Sequence, residues 1–149
     1  MRLINRKIRM LTKLCSVTLL LATQLQAASL TVEVSGINDS DGIVHVGLYD
    51  KTAGFPDEHQ YTQGRTVSAA DCIDGKATVS FESLLPGEYA VAGYHDINNN
   101  DELDTNLVGI PQEPYGASLG ARNMLSPPDY EDAKFKFDTQ DMKISVEFQ

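Results

Sequence analysis

The chain of 149 residues contains no tryptophan and only two cysteines, and its basic residues are few. Cys15 lies in an apolar run near the N-terminus, so Cys72 is the single cysteine of residues 28–149 and no internal disulfide can form there. We therefore expect Cys72 to be a small buried hydrophobe. Residues 28–149 carry seven basic against 21 acidic side chains, a net charge of −14. Such a surface repels nucleic acid and attracts cations or basic partners.

The N-terminal segment contains no acidic residue. It has five Lys or Arg within residues 2–13, an apolar run over residues 14–25, and small residues at Ala27 and Ala28. This order is typical of a secretory signal peptide, here cleaved after Ala27 or, as the alternative, after Ala28. The apolar run is shorter than the about 20 residues that span a bilayer. The sequence therefore predicts a signal peptide over residues 1–27, a domain over residues 28–149, a periplasmic or secreted location, and no transmembrane segment after cleavage.

Convincing helical periodicity is absent from the predicted domain, and alternation of apolar and polar residues predicts strands instead. The seven predicted strands cover residues 30–34, 43–49, 66–72, 76–81, 88–95, 133–137 and 142–148. Asp-Gly at residues 41–42 is a strong hairpin signal, Asp-Gly at residues 74–75 predicts a turn between two strands, and the last two strands are expected to form a closing hairpin. The prediction is an all-β fold, a single seven-stranded antiparallel β-sandwich of immunoglobulin-like or transthyretin-like type.

One local motif supports this fold. Residues 84–89 read LLPGEY and match the L-x-P-G-x-Y corner of such sandwiches, where a tyrosine hydroxyl bonds back to the backbone as the chain crosses between sheets. The motif predicts that Tyr89 is a buried structural residue bonded near residues 83–87.

Four segments in order, LPGEYAVAGYHD, NNNDELDTN, GIPQEPYG and PPDYEDAKFKF, strongly resemble the bacterial family called domain of unknown function 2141. The resemblance covers nearly all of residues 28–149. It implies an exported single-domain protein with an immunoglobulin-like or transthyretin-like sandwich, and it implies no established activity.

Residues 96–131 are predicted to form one long loop without strand or helix. Loops of this length in compact domains are generally functional or disordered. Because this one contains apolar residues and is not of low complexity, we expect it to pack on the end of the sandwich.

The start of the loop is dense in oxygen ligands. Calcium takes six to eight oxygens, commonly from alternate residues of a curled loop. The predicted calcium ligands are Asp96, Asn98, Asn100, Glu102 and Asp104, at positions 1, 3, 5, 7 and 9 of the loop, with Glu102 acting through its backbone carbonyl. Leu103 is expected to turn inward and anchor the loop.

The loop departs from an EF-hand at two positions. Asp101 stands where Gly makes the sharp turn, although Asp tolerates left-handed geometry. Leu107 stands where a bidentate Glu is needed, so Glu113 or Asp129 would have to complete the shell. A solvated polar turn explains the same residues equally well, because Asp and Asn favour turns. Both interpretations stay open on the sequence alone.

Other candidate sites are weaker. A zinc or copper site would use the histidines, which are His45, His59 and His95, but no two of them are spaced as a local pair of metal ligands. His45 and His95 lie on predicted strands and can meet in space. Ser118 lies in a G-x-S-x-G segment, but the nucleophile elbow of that pattern needs a strand-to-helix turn above a parallel sheet, which is not predicted here.

Two functional hypotheses follow. The first is a non-catalytic binding or structural module of the cell envelope, a monomer that acts on an envelope protein or a small ligand through the long loop. The second is a small hydrolase or isomerase that uses His95 with a carboxylate such as Asp96 or Glu113. An enzyme needs a concave pocket in which His95 and a carboxylate converge.

Overall fold

The chain folds into two β-sheets, whose strands have alternating apolar residues. The computed structural model describes residues 28–57, 59–124 and 126–149, and the predicted signal peptide at residues 1–27 lies outside them. The strands are β1 Ala28–Ser35, β2 Ile43–Tyr49, β3 Gln63–Ser68, β4 Lys76–Leu84, β5 Gly87–Asp96, β6 Tyr115–Ala117, β7 Phe135–Phe137 and β8 Met142–Glu147. One short helix, α1, covers Tyr130–Ala133.

The first sheet has the strand order β4-β1-β8, and the second has the order β3-β2-β5-β6, with β7 paired to the start of β5. Every second residue is buried along β1, along most of β4 and along the first half of β2. These apolar rows form one core between the sheets, centred on the fully buried Leu30, Val32, Val44, Leu48, Phe81 and Phe137. The predicted all-β sandwich is confirmed.

Strand pairing differs from the prediction in three places. All seven predicted strands exist, and an eighth, β6, lies inside the predicted loop. β1 and β8 pair in parallel, so the sandwich is not wholly antiparallel. β7 and β8 do not form the predicted closing hairpin, because β7 pairs with β5 while β8 pairs with β1. Alternation locates a strand, but it does not specify the partner of that strand.

The two Asp-Gly turns carry the chain between sheets. Gly42 has a φ of 85° and ends the connection from β1 to β2, which lie in different sheets, so the predicted hairpin is wrong there. Asp74 and Gly75 have φ values of 52° and 67°, as such a turn requires, but β3 and β4 again belong to different sheets. The predicted strand at residues 66–72 is also corrected, because a 3₁₀ turn at Ala69–Asp71 follows β3 and leaves Cys72 only partly buried.

The predicted tyrosine corner is present. The Tyr89 hydroxyl donates to the Leu85 carbonyl at 3.0 Å, and the ring packs edge-on against Phe137. Tyr89 is half-buried and not fully buried as predicted, because it lies at the end of the sandwich.

The predicted loop at residues 96–131 contains regular structure. β6 and a 3₁₀ turn at Ser118–Gly120 lie in its middle, and α1 begins at Tyr130. This segment covers part of the outer face of the second sheet through a separate apolar cluster. The buried members of that cluster are Tyr49, Ala90, Ala92, Ala117, Tyr130 and Ala133. Within the described residues, no helix is long and apolar enough to cross a membrane.

Candidate functional site

The loop after β5 is curled around one carboxylate. Asp96 ends β5 and is fully buried. Its Oδ1 accepts the backbone N–H of Asn100 at 3.1 Å, and its Oδ2 accepts that of Asp101 at 2.8 Å. Asn99 and Asp101 have φ values of 60° and 62°, the left-handed conformation that Asn and Asp tolerate. The sequence therefore produces the sharp turn at residue 101 without glycine.

A second carboxylate lies among the side chains of the loop. The Asp104 oxygens accept the amide groups of Asn98 at 2.6 Å and of Asn100 at 2.9 Å. Each of these asparagines also accepts a backbone N–H two residues ahead. Glu102 is exposed, and Leu103 is only half-buried, so the expected anchor is not fully inside. The four predicted side-chain ligands are thus gathered in one turn, and no described contact involves the Glu102 side chain.

Glu113 closes the loop at its base. This residue is 7% exposed, and its Oε1 and Oε2 accept the backbone N–H groups of Ile97 at 2.8 Å and of Asp104 at 3.0 Å. The sequence proposed Glu113 or Asp129 as the residue that completes the shell. Asp129 instead accepts from the Asn123 amide and precedes α1.

His45 lies beside the same loop on the neighbouring strand. Its Nε2 is 3.7 Å from Asp96 Oδ2 and 3.9 Å from Asp101 Oδ1, and its ring stacks on Tyr94 at 4.9 Å. These three groups offer ligand atoms within 4.8 Å of one another. His45 Nε2 is buried and has no hydrogen-bond partner among the described residues. The sequence did not indicate this group, because it depends on the register that places His45 opposite Tyr94.

His95 lies on the opposite face of β5. Because side chains alternate along a strand, His95 points into the sandwich when Tyr94 and Asp96 point out. It is fully buried, and its Nε2 donates to the Asp41 carbonyl at 2.7 Å. His45 and His95 therefore do not meet across the strands. His59 is exposed and contacts Asp57 through its backbone N–H.

Ser118 has structural contacts. Its Oγ donates to the Ala133 carbonyl at 2.6 Å and accepts the backbone N–H of Val91 at 3.0 Å, and the residue is 1% exposed. It begins a 3₁₀ turn after an antiparallel strand, which is not the geometry of a nucleophile elbow.

A cavity of about 800 Å³, here called the groove, opens on the outer face of the second sheet. Its walls come from residues within 54–61, 103–111 and 123–128. His45 lines it and His95 does not, so the combination expected of an enzyme using His95 is not formed there. Among the lining residues that the structure describes, the only carboxylate is that of Asp57, whose pKa is held below its usual range by the backbone N–H of His59 and the Gln60 amide. One signal of this groove was present in the sequence and not used, namely the small residues at the outward positions Gly47, Gly64 and Ala92.

Comparison with known proteins gives one family and one structure. A crystal structure of a fimbrial assembly protein from Parabacteroides distasonis ATCC 8503 is similar, with 11% identity, a TM-score of 0.38, and 82% of this chain covered. The chain spans about half the length of that structure, 52%. No match was found among curated proteins. The model of the family described as "Uncharacterized protein conserved in bacteria (DUF2141)" matches residues 32–145. The chain therefore belongs to this bacterial family, as its sequence motifs predicted.

Proposed function

We propose that the protein is an exported, non-catalytic binding or structural module of the cell envelope, and that its loop at residues 96–104 binds calcium. One observation carries this proposal. The four predicted side-chain ligands lie in a single turn that is already curled around the buried Asp96 carboxylate.

Charge supports a cation in this turn. Asp96, Asp101 and Asp104 lie within one short loop, and Glu113 is bonded to its backbone. No lysine or arginine forms an ion pair with these carboxylates among the described residues. Placing carboxylates together in a partly buried site is costly unless a positive charge compensates them. A divalent cation provides that charge.

Amide geometry is compatible with this role. Asn98 and Asn100 direct their side-chain N–H groups at Asp104. An asparagine amide presents an oxygen as well as a nitrogen, and half a turn of the amide exchanges them. Because Leu107 supplies no bidentate carboxylate, we expect weak binding, with Kd on the order of 10⁻⁴–10⁻³ M as in extracellular modules.

The test is a calcium titration of the processed protein by calorimetry, with melting curves in calcium and in chelator. At a hundredfold excess over Kd, mass action adds about 2.7 kcal/mol, which corresponds to roughly 2–8 °C in Tm. Asp104→Asn keeps the shape of the side chain and should remove the shift. Asp71→Ala, which removes an exposed carboxylate elsewhere, should retain it. Unchanged melting of the native protein in about 100 mM calcium, a hundredfold excess over the weakest expected Kd, would reduce the loop to a polar turn.

Asp96→Ala is a less informative variant. The Asp96 carboxylate accepts two backbone N–H groups, and the variant loses both hydrogen bonds. We therefore expect the calcium-free variant to be less stable than the native protein, although it also removes charge repulsion within the loop. Zinc is the control ion, because His45, Asp96 and Asp101 could hold a transition metal. A preference for zinc that survives Asp104→Asn and is lost in His45→Gln would replace the calcium assignment.

A further inference from the structure

The floor of the groove is a flat part of the sheet without large side chains. Across β3, β2 and β5, Gly64 lies opposite Gly47, and Gly47 lies opposite Ala92. The next row along the same face has His45 opposite Tyr94, with their rings stacked at 10°. The small residues leave room on this face for the rings of Tyr49 and Tyr61, and of these two rings that of Tyr61 is exposed to the groove.

Tyr61 depends on this floor for its position. A β-carbon added at Gly64 would lie 2.6 Å from the Tyr61 ring, and one at Gly47 would lie 3.1 Å from Tyr61 Cβ. The ring therefore rests against the sheet where glycine makes room for it. Tyr61 is nevertheless 46% exposed, so part of its aromatic surface faces the groove.

The groove also carries exposed aliphatic side chains. Val108 is 78% exposed, Ile110 is 47% exposed, and Met124 is 96% exposed, and all three line the cavity. A largely apolar cavity of this volume, with a small number of polar groups, is the usual form of a small-molecule site. The lining therefore suits a ligand with an apolar body.

The charges around the groove are negative. Asp57 lines it, and His45 connects it to Asp96 and Asp101. Within the described part of the lining, Arg65 is the only lysine or arginine, and its guanidinium is bonded to the Ser80 and Gly64 carbonyls and lies over the Phe81 ring. Residues 28–149 as a whole carry 21 acidic against seven basic side chains. The field in the groove thus favours a positive ligand and disfavours an anion.

We propose that the groove binds an organic cation with an apolar body, an alkylammonium or arylammonium compound. The apolar body covers the exposed aliphatic side chains, and the ammonium group lies against the exposed ring of Tyr61, which attracts cations through its quadrupole. An added peptide strand pairs with the edge of a sheet, whereas the floor of the groove is the face of one. The proposed calcium ligands do not line this site, although Leu103 and Thr105, the two neighbours of Asp104, do.

The test compares three probes of similar shape: benzyltrimethylammonium, its neutral isostere neopentylbenzene, and the anionic phenylmethanesulfonate. Affinity for the processed protein is measured by calorimetry, in calcium and in chelator. We expect the cation to bind about tenfold more tightly than the neutral probe and the anion not to bind. Equal affinity for the cation and the neutral probe would overturn the assigned ligand class.

Three variants locate the binding. Tyr61→Ala removes the exposed ring, and Gly64→Ala displaces it, and each should weaken cation binding about tenfold. Ile73→Ala, which shortens an exposed aliphatic side chain outside the groove, should leave the affinity unchanged. Melting curves confirm that each variant is folded. An affinity that is unaffected by both groove variants, or that falls equally in Ile73→Ala, would overturn the site.

The calcium proposal is tested separately by Asp104→Asn. This variant should lose the calcium response and still bind benzyltrimethylammonium. If the cation instead competes with calcium and is lost in Asp104→Asn, it binds at the acidic loop and the groove proposal is wrong.

Discussion

Tyr89 closes the corner between β4 and β5, which lie in different sheets, through one hydrogen bond from its hydroxyl group. Burial raises the pKa of this hydroxyl, so it stays protonated and donates to the Leu85 carbonyl across the physiological pH range. The sequence motif was sufficient to identify the bond, because the corner is a local feature within six residues. The motif did not predict that Tyr89 is only half-buried, because the exposed fraction of its side chain depends on the pairing of β5 with β7.

We predict that Tyr89→Phe destabilises the protein by about 1 kcal/mol, because it removes one hydrogen bond and keeps the ring. Denaturant unfolding measures the change. Tyr61→Phe is the matched control, since its ring lies in the groove and is half-exposed, and its free energy of unfolding should stay within about 0.5 kcal/mol of the native value. An equal effect in both variants would contradict the corner.

Glu113 acts as a clamp on the loop, because its carboxylate bonds to the backbone at both Ile97 and Asp104. Glu113→Gln keeps one oxygen but places an N–H₂ group against a backbone N–H donor. Because the site is buried, we expect a cost of about 1–3 kcal/mol and faster amide exchange at Ile97 and Asp104. Glu82→Gln, on the exposed side of β4, is the control. Slow exchange in Glu113→Gln would show that the loop does not need this clamp.

Among the described strands, β6 is the one that the sequence missed. It is three residues long and pairs with β5, and Tyr115 exchanges two backbone hydrogen bonds with Gln149 after β8. β6 therefore joins the second sheet to the end of the first. Three residues are too few for alternation to indicate a strand, so only the surrounding chain segments could define it.

Gly116 allows this close approach. A β-carbon at this position would lie 2.3 Å from the Glu147 carbonyl oxygen and 3.1 Å from the Phe148 ring. We predict that Gly116→Ala destabilises the protein by about 1–3 kcal/mol, because the backbone of β8 must move. Gly87→Ala is the control, since its nearest contact is an ordinary 3.4 Å to the Tyr89 ring. Equal melting temperatures for the two variants would contradict this packing.

At the scale of the whole molecule, charge is unevenly distributed along the chain. Five basic residues lie in residues 1–27, and all 21 acidic residues follow. We predict that the exported protein begins at Ala28 or Ser29, and that Ala27→Leu blocks this processing because the cleavage site needs a small residue. Intact mass of the secreted protein measures both results. Recovery of the native protein with residues 1–27 attached would contradict the predicted signal peptide.

The sequence by itself determined where seven of the eight described strands lie, because alternation of apolar and polar side chains is a local property. It also determined the corner at Tyr89 and the gathering of Asp96, Asn98, Asn100 and Asp104, since ligands two residues apart in one turn are close whatever the remainder of the fold does. These features depend on contacts within about ten residues.

Only the tertiary structure decided the pairing of strands and the features that pairing creates. The parallel contact of β1 with β8, the position of His45 beside Asp96, and the clamp formed by Glu113 join residues that are distant in the chain. The groove likewise requires three strands in register, so that Gly64, Gly47 and Ala92 form one floor. A one-residue change of register would move these side chains to the other face, and residue alternation cannot select among strand partners, because every strand of a sandwich presents a similar apolar row.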